Sequence, residues 1–494
     1  MHKQHLRLAL ATATAAALTG GLLTLTTLPA AAADSFKVAR ADFNGDGVGD
    51  VVASAPGASV GGHADAGAVV VLYGSPTGVT STKRTTLSQN SSGVPGTSET
   101  GDFFGVDTAY ADFNGDGYDD LAVGTPDEKV GTDTDGGTVA ILWGSRSGLT
   151  GKGVTVDDPA PSTHDFWGKN LAAGDFDGDG KADLVVGSSA ATLYLYKGGF
   201  TTAGTPGGRT TVKPPIQSGS PSQGPMNLTA GDVNGDGRTD LVVDGFETQT
   251  DHGWNTNYWL PGTASGLGAA GAVKLRTGIV TGIGDINGDG FGDIVTGADW
   301  NSKTEGDNPV PVPDSSDGGR ANITYGSASG PAGTTYITQN TNGVPGTSEK
   351  GDAFGWDLDL GDINGDGYQD LVVSAPQEDI DGVSNTGFVT VLYGSANGVN
   401  TTSGAQSFAQ STAGVPGSDE KNDLFGADVK LDDVTGDGKA DLIVGSYENG
   451  GDGAVTYLPS NGKKIVTTGS RALSASASGL STSGTPQYGA VFAD

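Results

Sequence analysis

The chain contains no cysteine among its 494 residues, so no disulfide and no lipid-modified cysteine can form. Histidine is scarce as well. Only His63, His164 and His252 follow the first 33 residues, and no H-E-x-x-H string occurs. The one G-x-S-x-G string runs from Gly57 to Gly61. A loop and then an apolar run follow it, so Ser59 lacks the strand-turn-helix setting of a nucleophile elbow. Positive charge is short: 26 Lys and Arg stand against 58 Asp and Glu, for a net charge of −32. That balance argues against nucleic-acid partners and against anionic membrane surfaces. Beyond the stretch Leu8 to Leu28, no segment is apolar enough to span a bilayer.

Residues 1–33 read as a secretory signal. Lys3 and Arg7 give a positive start, the following stretch is apolar and small, and Ala31, Ala32 and Ala33 offer a cleavage site before Asp34. A secreted chain without disulfides needs cross-links of another kind, and the sequence supplies a candidate.

Glycine is abundant, with 85 residues, and aspartate recurs in a fixed pattern. Seven segments read D-x-[N/D/T]-G-D-G-x-x-D, starting at Asp42, Asp112, Asp175, Asp232, Asp285, Asp362 and Asp433. Calcium takes about six to eight oxygen ligands. The first segment offers the carboxylates of Asp42, Asp46 and Asp50, the amide oxygen of Asn44 and the backbone carbonyl of Val48. The second offers Asp112, Asn114, Asp116, Tyr118 and Asp120, and the third Asp175, Asp177, Asp179, Lys181 and Asp183. The fourth offers Asp232, Asn234, Asp236, Arg238 and Asp240, and the fifth Asp285, Asn287, Asp289, Phe291 and Asp293. The sixth offers Asp362, Asn364, Asp366, Tyr368 and Asp370, and the seventh Asp433, Thr435, Asp437, Lys439 and Asp441. In each set the seventh-position residue contributes its backbone carbonyl. The two glycines permit the positive φ angles of a chain wrapping an ion. An ordinary Asp-Gly turn needs no metal, but three aspartates at fixed spacing in seven copies are a metal-binding composition. They predict up to seven Ca²⁺. The fourth aspartate of the third loop, Asp177, predicts the tightest site, and Thr435 the weakest.

An EF-hand would place Glu at position twelve. These loops have Ala53, Val123, Val186, Val243, Thr296, Val373 and Val444 there, in apolar β-branched runs that read as buried strands. The loops therefore join strand to strand. Their starts lie 70, 63, 57, 53, 77 and 71 residues apart. That is room for about four short strands, one blade of a β-propeller. The sixth repeat shows the unit as strands over Phe354–Leu360, Asp370–Ala375, Gly387–Ser395 and Ala405–Ser411.

Further elements recur around the loops. Phe-Gly pairs stand at Phe104-Gly105, Phe354-Gly355 and Phe425-Gly426, with Trp167-Gly168 as a variant. SAPG at Ser54–Gly57, TPDE at Thr125–Glu128 and SAPQ at Ser374–Gln377 follow the second strands. With the aspartate loops, these resemble the FG-GAP repeat of the integrin α-subunit propeller. The resemblance covers nearly the whole chain after residue 33. It implies an all-β fold, a seven-bladed propeller of four-stranded blades over 34–469, with calcium between the first two strands of each. Repeats three, four and five lack the GAP element, and four and five lack FG, so less regular blades are expected there.

In such a propeller the loops joining second to third strands lie on the face opposite the calcium loops. Two long ones, Asp244–Asn257 and Asp299–Gly319, carry His252, Trp254 and Trp300 beside Asp251, Asp299 and Glu305. These three are candidate ligand contacts for a glycan or peptide. Trp143, Trp167, Trp259 and Trp356 fall on strands and are expected in the core. Residues 470–494 read as a Ser-, Gly- and Ala-rich linker plus a partial repeat, Tyr488–Asp494, surplus to the ring. Phe36–Ala41 is expected to supply the first inner strand and Lys464–Thr467 the last outer one. The functional expectation is a secreted binding or adhesion module for an extracellular glycan or protein. The alternatives are a hydrolase or polysaccharide lyase associated with a calcium propeller, and a cell-surface or matrix scaffold.

Overall fold

The computed structural model describes residues 40–220, 223–248, 254–301 and 312–493. The expected signal at 1–33, and residues 36–39, lie outside them. Each apolar run becomes the second strand of an antiparallel sheet. In blade six the strands are Leu358–Gly361, Asp370–Ala375, Phe388–Leu392 and Gln406–Phe408, hydrogen-bonded in that order. Six sheets have four strands in this order, and the first sheet has three, Val51–Ala55, Ala68–Leu72 and Arg84–Leu87. The fold is an all-β, seven-bladed propeller. Among the described residues, helix is confined to Ala269–Gly271 and Glu448–Gly451. Among the described residues, no helix is long and apolar enough to cross a membrane.

The second strands are apolar on both sides because each blade is covered by two neighbours. Side chains alternate across a strand. Val51, Ala53 and Ala55 therefore pack with Ile443 and Tyr457 of the last blade, while Val52 packs with Leu121 and Val123 of the second. Seven apolar clusters fill the seven seams. Six of them hold 13 or more buried residues, but the seam between blades four and five holds four: Val233, Val242, Trp259 and Ile294. First strands of successive blades pack against each other around the axis.

Irregularity is narrower than the missing motifs implied. Blades three and five are complete four-stranded sheets. Of blades three, four and five, only the fourth is reduced: its outer strand is the two-residue Val273–Lys274, beside a small hairpin at Gly262–Leu267.

Ring closure differs from the expectation of a surplus tail. The outer strand of blade seven is Arg471–Ser474, paired with Ala454–Tyr457, and not the segment near Lys464–Thr467. The last residues then lie on the first blade. Gly489 N donates to Ser54 O (2.9 Å), Ser54 N to Val491 O (2.8 Å) and Ala493 N to Val52 O (3.2 Å). Asp50 N donates to Ala41 O (2.7 Å) on the same edge. The inner strand of blade one is thus continued by two chain ends, Tyr488–Ala493 and then Arg40–Ala41. Residues 470–493 belong to the ring.

Tyr488-Gly489 is an FG element with tyrosine in place of phenylalanine. Gly105 N reaches Gly124 O (2.9 Å), Gly355 N reaches Ser374 O (2.9 Å) and Gly426 N reaches Gly445 O (2.9 Å), the bond that Gly489 makes to Ser54. A Cβ on Gly453 would lie 2.3 Å from Tyr488 N and O, as one on Gly67 would from Phe104 N and O. Only glycine permits that approach. Tyr488 is fully buried among residues of blades one and seven.

Tyr488→Ala is therefore expected to cost about 3–5 kcal/mol, the range for large aromatic truncations in a core. Deleting residues 488–494 should cost more. Urea unfolding measures both. A deletion that leaves the midpoint unchanged would restore the reading of a loose tail.

Candidate metal centres

The seven aspartate loops share one geometry. In the first, Gly45 and Gly47 have φ of 69° and 81°. The turned backbone points its N–H groups inward, and carboxylates accept them. Asp46 N and Gly47 N donate to Asp42 (3.1 and 2.8 Å), Asp46 N also to Asn44 Oδ1 (2.9 Å), and Val48 N to Asp46 Oδ1 (3.0 Å). The same set recurs about Asp362: Gly365, Asp366 and Gly367 donate to it, and Tyr368 to Asp366. Side chains one and five are thus held at every turn, and side chain three in five of the seven, with oxygen lone pairs to spare. In blade three, carboxylate oxygens of Asp175, Asp177 and Asp183 lie within 4.8 Å of one another. Such an array can hold a divalent cation.

The ninth-position aspartate has a second role that the spacing did not reveal. Asp50 accepts Phe43 N (3.1 Å) with one oxygen and Gly74 N (3.0 Å), at the end of the third strand, with the other. Asp120 joins Phe113 and Gly144, Asp183 joins Phe176 and Gly198, and Asp240 joins Val233 and Gly262 in the same way. Asp293 joins Ile286 and Gly326, and Asp370 joins Ile363 and Gly394. Asp441 makes one such bond, to Ser460 N (2.8 Å). All seven are buried. Burial, reinforced by neighbouring loop carboxylates, pushes Asp50, Asp120 and Asp370 up to about 8. Asp183, Asp293 and Asp441 are pushed up to about 7 by the same causes. A cation at the loop would favour the ionised form of each.

Neighbouring loops interlock at six of the seven seams. There the N–H at position eight donates to the carbonyl of position one in the preceding blade, as from Asp119 to Asp42 (3.2 Å), Gln369 to Asp285 (3.0 Å), Ala440 to Asp362 (2.8 Å) and, joining the last blade to the first, Gly49 to Asp433 (2.9 Å). The seventh side chain covers the fourth-position glycine of the preceding loop. Tyr118 lies on Gly45, Phe291 on Gly235, Tyr368 on Gly288 and Val48 on Gly436.

Basic side chains offset some of the loop charge. Lys197 Nζ sits 2.7 Å from Asp177 Oδ2, and Arg238 Nη1 sits 3.1 Å from Asp236 Oδ2. The extra carboxylate of the third loop is thus already paired. Charge count alone therefore does not rank that site first.

On the opposite face, His252 lies outside the described residues. Trp254 and Trp300 are half-buried, with Trp300 Nε1 donating to Pro313 O (3.3 Å). Trp167 and Trp259 are core, but Trp356, expected there, is 41% exposed and donates from Nε1 to Ala427 O (3.1 Å). Its position just before the strand, which starts at Leu358, leaves it outside the alternation. Ser59 precedes a tight turn closed by Val60 and His63, with no helix after it.

The FG-GAP repeat profile matches residues 37–72, 167–209 and 354–392, and the FG-GAP-like repeat profile matches 112–186. The chain carries FG-GAP repeats. Phosphatidylinositol-glycan-specific phospholipase D of Mus musculus is 38% identical over 151 residues, 31% of this chain and 18% of that one. Integrin alpha-PS5 of Drosophila melanogaster is 34% identical over 169 residues, 33% of this chain and 16% of that one. Integrin alpha-PS2 of the same organism is 27% identical over 285 residues, 56% of this chain and 15% of that one. The chain spans less than a fifth of each of these relatives. A solved structure, AofleA from Arthrobotrys oligospora, aligns with a TM-score of 0.36 at 11% identity over 74% of this chain and 85% of that one.

The buried aspartates set a pH dependence. A carboxyl raised from 3.8 toward 7 or 8 in the folded state stabilises the fold fully at low pH. That contribution is lost as pH rises through the folded value. Metal-stripped protein is expected to show a lower urea midpoint at pH 8.5 than at pH 5.5. A higher midpoint at pH 8.5 would contradict the burial argument.

Proposed function

We propose that the protein is a secreted, calcium-loaded FG-GAP propeller that acts as a binding module for an extracellular glycan or protein. The observation that carries this reading is the rim of seven loops, each with carboxylates oriented by backbone N–H groups. Positions one, three, five and nine would hold the ion, with the seventh carbonyl beside them. Bound calcium would supply a cross-link between the turn and the start of the second strand. The expected signal at residues 1–33 and the lack of cysteine fit an extracellular setting in which metal replaces disulfides. The likeness to phospholipase D covers 18% of that protein and assigns the hydrolase reading no residue here.

Extracellular calcium modules bind at about 10⁻⁴ to 10⁻³ M. At about 1 mM calcium and a Kd of about 0.1 mM, one site contributes roughly 1.4 kcal/mol by mass action. Excess EGTA is therefore expected to lower the melting temperature, and an unchanged melting temperature would sink the calcium reading. Lys197→Met should free Asp177 and tighten the third site. Calcium titration of the variant checks this, and weaker binding would contradict it. A screen of glycans and extracellular proteins, run with calcium and with chelator, tests the module. Binding without turnover supports it, and product formation supports the hydrolase.

A further inference from the structure

The seam between blades four and five is built differently from the others. Between Leu87 and Thr108, Ile337 and Leu358, and Phe408 and Val429, the connectors run over residues 88–107, 338–357 and 409–428. Between Lys274 and Val280 only residues 275–279 remain. The long connectors pack into their seams: Val94, Val344 and Val415 are buried in the clusters there. At the fourth seam nothing of that kind is inserted among the described residues, the apolar cluster is the smallest, and the outer strand has shrunk to Val273–Lys274. The space left is a solvent-open cleft of about 470 Å³. That lies within the range of small-ligand sites, about 300–1,000 Å³.

The lining is half apolar and half polar. Trp254, Leu275 and Pro331 line one part, and Val273 is 38% exposed in it. The charged groups come as fixed pairs. Lys274 is bonded to Glu247. Arg276 Nη1 lies 3.1 Å from Asp314 Oδ1, and Arg276 Nη2 donates to Thr334 Oγ1 (3.1 Å). Arg320 holds Asp314 from behind at 2.6 Å. The four charged residues of the lining itself, Glu247, Lys274, Arg276 and Asp314, balance, with Arg320 adding one positive charge behind Asp314, although the chain as a whole carries −32.

We propose that this cleft binds a stretch of neutral oligosaccharide, with the Trp254 ring as an apolar platform and the Arg276–Asp314 and Lys274–Glu247 pairs as donors and acceptors for hydroxyls. Each part has a reason. An indole offers a large apolar face at little conformational cost. A guanidinium–carboxylate pair presents both donors and acceptors in a fixed plane, as adjacent hydroxyls require. Paired charges give no attraction to a polyanion, and the acidic protein repels one. A two-residue outer strand offers too short an edge for an added peptide strand. The proposal deepens the binding-module reading and rests on it.

The test uses full-length, calcium-loaded protein. Isothermal titration is run with maltohexaose, cellohexaose, laminarihexaose and N-acetylchitohexaose, against heparin hexasaccharide and a displayed peptide library. At least one neutral hexasaccharide is expected to bind. Trp254→Ala should weaken it by about tenfold or more, the loss of one aromatic platform, at unchanged melting temperature. Trp254→Tyr should retain most of the affinity. Val273→Arg, at an exposed position, should block the cleft and gives an independent reading if Trp254→Ala misfolds. Neutral-sugar binding unaffected by these variants overturns the cleft and leaves the module standing. Binding of heparin or peptide alone also overturns the cleft. Binding of nothing here overturns the cleft, and binding of nothing in the wider screen of glycans and extracellular proteins overturns the module as well.

Discussion

One buried carboxylate per blade ties three parts of the chain together. The ninth-position aspartate fixes the start of the loop through the N–H at position two, the start of the second strand through its own backbone, and the end of the third strand through a glycine or serine N–H. Both oxygens are used in six of the seven blades, as at Asp370 with Ile363 and Gly394. Burying such a group is costly for its ionised form. The fold pays that cost seven times, and the cluster of carboxylates around each one makes sense where a divalent cation balances the charge. The loops are then less a decoration on the propeller than the place where its blades are pinned.

From that rim the ring is joined twice over. Loops clasp their neighbours through the position-eight N–H, and on the far face FG elements clasp the second strand of their own blade. Both sets include a bond that unites the chain ends: Gly49 to Asp433 on one face, Gly489 to Ser54 on the other. Apolar clusters between blades supply the rest, and their unevenness matters. The small cluster between blades four and five coincides with the open cleft, and the short connector over residues 275–279 accounts for both.

Much of this was legible in the residues. Seven loop motifs fixed the blade count, and the apolar β-branched runs behind them fixed the second strands, because a strand buried on both sides has no polar alternation to obscure it. The ends were harder. Tyr488-Gly489 does not match Phe-Gly by letter, and a Ser- and Ala-rich stretch such as Ser470–Ser478 looks like linker although Arg471–Ser474 pairs as a strand. Pairing with residues more than 400 positions away leaves no local trace. The aspartates at position nine announced a metal by their spacing, but their bonds to the third strand depend on tertiary distance. Trp356 was misplaced because strand periodicity was extended beyond where the strand begins. The pairing of Lys197 with Asp177 joins a strand end to a loop, which charge counting along the sequence cannot see.

The most direct measurement is a crystal structure of the protein grown in calcium, with anomalous scattering used to locate the ions. The account predicts seven peaks, all on one rim, each among positions one, three, five and nine of a D-x-x-G-D-G-x-x-D loop. Peaks absent from those loops at millimolar calcium, or found instead on the opposite face, would contradict it.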